Sequence, residues 1–173
     1  MTTVINLFGG PNSGKSTLAS GLFYELKIKH YHCEMVREYI KSWAWEGRKT
    51  GPYDQPYIFG KQLRYESMLY GKVDFIITDS PVLLSSFYED MYEGDSIVKP
   101  SAIKFMERAK KNGIKHKNFW LPTVPNIDTR GRFGDEEHFR DMSANMLQWL
   151  YGMNVDLIRV PEGAEDNDRV EFI

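Results

Sequence analysis

The segment Gly9-Gly10-Pro11-Asn12-Ser13-Gly14-Lys15-Ser16-Thr17 contains the pattern GxxxxGK[ST], and its flanks restrict the fold more than any other part of the chain. The residues before it, Thr3 to Phe8, are β-branched and apolar, as a buried strand requires. Those after it, from Lys15 to about Lys27, carry Leu18, Leu22 and Leu26 at helical spacing. A strand, a glycine-rich turn and a helix in this order make a phosphate-binding loop. The glycines let successive N–H groups point inward at a polyphosphate, and the helix N-terminus adds positive potential on the same side. Residues Gly9 to Thr17 would then cradle ATP, with Lys15 reaching the β- and γ-phosphates and Ser16 holding Mg²⁺. An ordinary glycine-rich turn is the alternative.

A chain of 173 residues has room for one substantial core, so a single domain over 1–173 is expected. The net charge is −2, and spread charges give no overall basic field for nucleic acid or anionic lipid. The one cysteine, Cys33, leaves no internal disulfide and no CxxC metal site. No apolar run resembles a signal peptide or a membrane span, so the expectation is a cytoplasmic protein with no membrane partner. The acidic end, Glu162 to Glu171, reads as a solvated tail.

Strands are expected near 3–8, 32–37, 73–78, 115–121 and 154–160, separated by helical segments. This alternation predicts an α/β fold of three layers: a central parallel five-stranded sheet with helices on both faces. Helices are expected at 54–71 and 135–150. The apolar stripes Tyr57, Ile58, Leu63, Tyr65, Met68, Leu69 and Phe139, Met142, Met146, Leu147, Leu150 are assigned to the core.

Ligands of open α/β sheets lie beyond the carboxyl ends of the strands, which singles out three constellations. Asp79-Ser80-Pro81 follows the third strand; Asp79 can orient Mg²⁺ or accept a proton, while the bland alternative is a helix cap, with Ser80 the better cap. Arg37 and Glu38 end the second strand, where Glu38 can engage an acceptor hydroxyl and Arg37 an acceptor phosphate. A surface Arg–Glu pair is the alternative. The third constellation, Asn126 to Gly134, holds Arg130 and Arg132 around Gly131 and suits a lid that neutralises a transferring phosphoryl group. A solvated loop is the alternative there. Asp128 to Gly131 also matches DxxG, but no NKxD-type guanine reader follows, and a GTPase is rejected.

With these residues in this order, the chain resembles the P-loop nucleoside and nucleotide kinases. The resemblance extends to the branch that includes thymidylate kinases, the kinase domain of nicotinamide riboside kinases and small phage-encoded ATP-binding proteins. It is carried by Asn6 to Pro11, Tyr57 to Leu63 and Ile77 to Pro81. Nucleotide kinases commonly place an arginine after the third-strand acid, whereas here Ser80 and Pro81 follow. The resemblance implies transfer of the γ-phosphoryl group of Mg-ATP to a nucleoside monophosphate or nucleoside-like acceptor. Lys15, Ser16, Asp79, Glu38 and Arg130 or Arg132 would act on the reacting groups. Trp43, Trp45, Tyr53, Tyr57 and Phe59 supply rings for an acceptor base, one or two of them at the site; Gln62 and Arg64 are candidates for its edges.

Two other classes stay open. One is a kinase acting on a hydroxyl of DNA or RNA, or on a modified base in DNA, for which the basic run from Lys99 to Lys117 could form a channel. The other is a non-enzymatic ATP-binding regulatory module. An oligomeric AAA+ motor is disfavoured because the chain has no room for a helical lid subdomain. A homodimer is compatible with the sequence.

Overall fold

A computed structural model describes residues 1–51, 53–123, 136–163 and 165–173. Strand β1 (Thr3–Phe8) leads into helix α1 (Lys15–Ile28), then β2 (Cys33–Val36), a short α2 (Lys41–Trp45) and α3 (Asp54–Ser67). There follow β3 (Phe75–Thr78), α4 (Leu84–Glu93), α5 (Lys99–Lys111), β4 (Lys115–Trp120), α6 (Glu136–Gly152), β5 (Ile158–Arg159) and α7 (Asp166–Phe172). The five strands form one parallel sheet in the order β2-β3-β1-β4-β5, the α/β architecture that the alternation of elements predicts. No helix among the described residues is long and apolar enough to cross a membrane.

Side chains alternate across a strand, so β1 feeds two cores. Ile5 and Leu7 pack with Leu18, Leu22 and Ile77 on the α1 side. Phe8 faces the other way, into a cluster with Phe59 of α3, Phe87 of α4, Ala102 of α5 and Met146 of α6. Val4 joins Ile76, Ala109 and Ile114. Helices therefore cover both faces, and Phe139, Met142, Met146 and Leu150 of α6 are buried as the stripe predicts. The α3 stripe divides instead: Ile58 is buried, whereas Tyr57, Tyr65 and Met68 are exposed.

The acidic end is not a solvated tail. Its helix α7 docks on α1, with Val170 and Ile173 against the Leu18–Leu22 core and Arg169 buried. Composition concealed this because the acids Asp166 and Asp168 stand in the first helical turn, where the helix dipole favours them. The last strand is shorter than the expected 154–160, because Asn154 turns the chain at φ 53° and Val155 and Leu157 pack onto the α6 side.

A buried carboxyl group stands near the end of α3. The Glu66 carboxylate accepts a 2.5 Å hydrogen bond from the Tyr70 hydroxyl; burial pushes Glu66 up to about 7 against that bond. Its Oε2 and the Nε2 of His116 have no hydrogen-bond partner, and both residues border one small packing gap with Asn6. Burial holds His116 down at about 4.

Candidate active site

Helix α1 begins at Lys15, immediately after Gly14 in the left-handed region at φ 81°, a conformation that costs any residue with a Cβ. No side chain caps α1 and its first turn holds no acid, so its leading N–H groups and dipole serve the loop. The loop is fixed from outside: a Cβ on Gly9 would lie 2.7 Å from the Leu121 carbonyl oxygen. Ser13 is buried and donates to the Gly10 carbonyl at 2.9 Å. The Lys15 ammonium donates to the Gly9 and Gly10 carbonyls, both at 2.8 Å, and so lies back over the loop.

Sheet register brings the other groups here. Asn6 stands opposite Thr78, and Val36 opposite the same Thr78, so the chain leaves β1, β3 and β2 side by side. Asp79, just past β3, accepts from the Ser16 hydroxyl at 2.6 Å through Oδ2 and from the Glu38 N–H at 3.1 Å through Oδ1. It caps no helix. Nor does Ser80: α4 starts at Leu84 with no side-chain cap, and the Ser80 N–H donates to Thr78 Oγ1.

A cleft of about 130 Å³ opens beside this bridge. Pro11, Glu38, Lys41, Gln55, Ser80 and Phe139 are among its walls. Arg37 does not line it; the side chain is exposed and its carbonyl accepts from Gln62 Nε2 at 3.3 Å. Gln62 is buried, and its Oε1 also accepts from the Tyr39 N–H, so both ends of this amide hold the turn after β2. Arg64 is exposed on α3 and away from the cleft walls. Of the proposed stacking rings, Phe59 and Trp43 are buried, Tyr57, Trp45 and Tyr53 are exposed, and none lines the cleft; Tyr88, Tyr92 and Phe139 do. The lid at 126–134, with Arg130 and Arg132, lies outside the described residues.

Two site residues carry no motif that sequence could have flagged. Gln55 is 7% exposed, and its Oε1 has no hydrogen-bond partner although it borders the cleft, which is costly unless a ligand supplies a donor. Arg169 of α7 is 4% exposed, and its guanidinium donates to the Ser13 carbonyl at 3.5 Å from behind the loop. An arginine followed by valine inside an acidic run was the one available signal.

Solved structures share this fold over 99% of the chain. Deoxyadenosine kinase from M. mycoides with bound dATP matches at 17% identity over 96% of its own length with a TM-score of 0.59. APS kinase CysC from Mycobacterium tuberculosis matches at 10% identity over 94% with a TM-score of 0.56, and the protein APE1195 at 17% over 91% with 0.55. At such identities the likeness shows the fold alone, the parallel α/β fold with a phosphate-binding loop. A profile described as an AAA domain matches residues 4–167, and the chain belongs to that family. A search of curated protein sequences gave no match.

Proposed function

We propose that the chain is an ATP-dependent phosphotransferase that moves the γ-phosphoryl group of Mg-ATP to a hydroxyl of a nucleoside-like molecule in the cleft. The observation that carries this reading is Asp79, whose carboxylate reaches the phosphate loop through Ser16 and the cleft wall through the Glu38 N–H. A group so placed stands between donor and acceptor. Lys15 and the first N–H groups of α1 would bind the β- and γ-phosphates. Ser16 and Asp79 offer two hard oxygens 2.6 Å apart, a fit for Mg²⁺, which takes few protein ligands and completes its shell with phosphate and water. Bound there, the ion would neutralise phosphate charge.

Glu38, on the cleft wall, is the group that would orient or deprotonate the acceptor hydroxyl. Gln55 Oε1 would accept from a ring N–H, the contact that a base edge offers. Among the described residues no arginine lines the cleft, and Lys41 is its cation. That favours an uncharged acceptor over a nucleoside monophosphate, which calls for a planar guanidinium clamp. In this reading 1–173 is a single domain, and Arg130 and Arg132 close over the transferring group as a lid. Labelled ATP offered to nucleosides, nucleoside monophosphates and nicotinamide riboside, with product analysis, is the test. Label in a nucleoside monophosphate is expected. ATP binding without label in any acceptor would make the chain a regulatory module instead.

A further inference from the structure

We propose that the outer face of α2 and α3 binds single-stranded nucleic acid at the mouth of the cleft. Between 37 and 65 the sequence carries seven aromatic residues, and six basic against three acidic, in a chain of net charge −2. The fold brings four of these rings into one array. Tyr39 lies 5.7 Å from Tyr57, 6.2 Å from Trp43 and 6.2 Å from Tyr65 between ring centroids, and Trp43 stacks on Tyr57 at 6.3 Å and 16°. Trp43 is buried at the base of this array and Tyr39 is half-buried, while the outer rings are open. Tyr57 is 48% exposed and Tyr65 39%, and the still more open Trp45 and Tyr53 end α2 and precede α3.

Cations stand on these rings. Arg48 lies 3.4 Å over Trp43, Lys61 5.5 Å over Tyr57, and Lys41 5.8 Å over Trp45. A contiguous exposed aromatic patch marks a binding surface, and its chemistry selects the occupant. Rings interleaved with ammonium and guanidinium groups match a polyanion that also presents flat faces, with bases stacking and phosphates meeting the cations. A duplex hides its base faces, so the strand is single. The surface adjoins the cleft because Ile40 and Lys41 line the cleft while their neighbours Tyr39 and Trp43 stand in the array. The basic run on α5 and β4 does not serve, since Lys115 pairs with Thr3 at the amino end of β1, the far end of the sheet from the loop.

The test is fluorescence anisotropy of a labelled oligothymidylate of about 15 nucleotides, titrated with the full chain without ATP or Mg²⁺. Saturable binding is expected, weakening about tenfold between about 50 and 200 mM salt. Tyr57→Ala with Tyr65→Ala should weaken it at least about tenfold through lost stacking. Tyr57→Phe with Tyr65→Phe, which keeps the rings, should retain it, and ATP affinity should be unchanged in both double variants. No binding at the lower salt, or equal binding by the alanine variant, overturns the proposal. So does sedimentation showing that the patch joins two copies of this chain and that the alanine variant separates them. Because ATP is absent, failure here leaves the phosphotransfer reading standing on its own test.

Discussion

Replacing Asp79 with asparagine keeps the side-chain shape but turns one of its two acceptor oxygens into a donor, and the Ser16 hydroxyl and the Glu38 N–H each occupy one of those oxygens. Asp79→Asn should therefore cost at least about a hundredfold in turnover while the variant stays folded; a near-normal rate would reduce Asp79 to a brace between β2 and β3. Gln55→Leu should raise the acceptor's KM at least about tenfold and leave that of ATP unchanged, because the lost contact is to the acceptor alone. An unaltered acceptor KM would place the ring elsewhere. Lys15, Ser16 and Asp79 were legible because a spacing pattern and a strand end fixed their places. Gln55 was not, since Gln55 and Gln62 stand two turns apart on one helix and only the fold decides which amide holds a backbone turn and which faces the cleft. Arg37 shows the same limit: a strand end fixes the position of a backbone, but not which side its last side chain takes, and that of Arg37 is exposed and off the cleft wall.

Helix α7 docks closely on α1. A Cβ on Gly21 of α1 would lie 2.8 Å from Val170 Cγ2, a stiff branched carbon that cannot swing away. In the Val170→Ala background, Gly21→Ala should stabilise by up to about 1 kcal/mol through helix propensity. In the native background it should be neutral or destabilising, because overpacking opposes the gain. Equal effects in the two backgrounds, measured by urea unfolding, would undock α7. The Glu66 site predicts a pH signature. Glu66 rises from 4.5 to about 7 on folding, so its contribution is complete below 4.5 and is lost as pH rises to about 7. His116 falls from 6.5 to about 4, so its contribution is complete above 6.5 and is lost as pH falls to about 4. Between 4.5 and 6.5 the two slopes oppose, and wild-type stability should be nearly flat. Glu66→Gln leaves only the histidine slope, so the wild-type advantage should shrink by on the order of 3 kcal/mol from acid to neutral pH. Parallel curves for the two proteins would contradict this. Long periodic helices and the central strands were legible from sequence, whereas α2 and α7 were not, because five and seven residues are too few for a period to show.

In the whole molecule, function rests on adjacency that sequence order does not reveal. Strands β2, β3 and β1 are neighbours in the sheet though α1, α2 and α3 separate them along the chain. Their carboxyl ends put Glu38, Asp79 and the phosphate loop in one line. The parallel sheet was legible from alternating elements, but its strand order was not, and that order creates the cleft between α2, α3 and α4. If this line of groups transfers a phosphoryl group, the reaction depends above all on Lys15. Lys15 is not a core residue, so Lys15→Ala should fold and melt like the native protein. The decisive measurement is the rate of label transfer from γ-labelled ATP to the preferred acceptor, wild type beside Lys15→Ala. Wild type should transfer label and the variant should do so at less than about a hundredth of that rate; transfer within about tenfold of wild type by a folded Lys15→Ala would rule out the phosphotransferase reading.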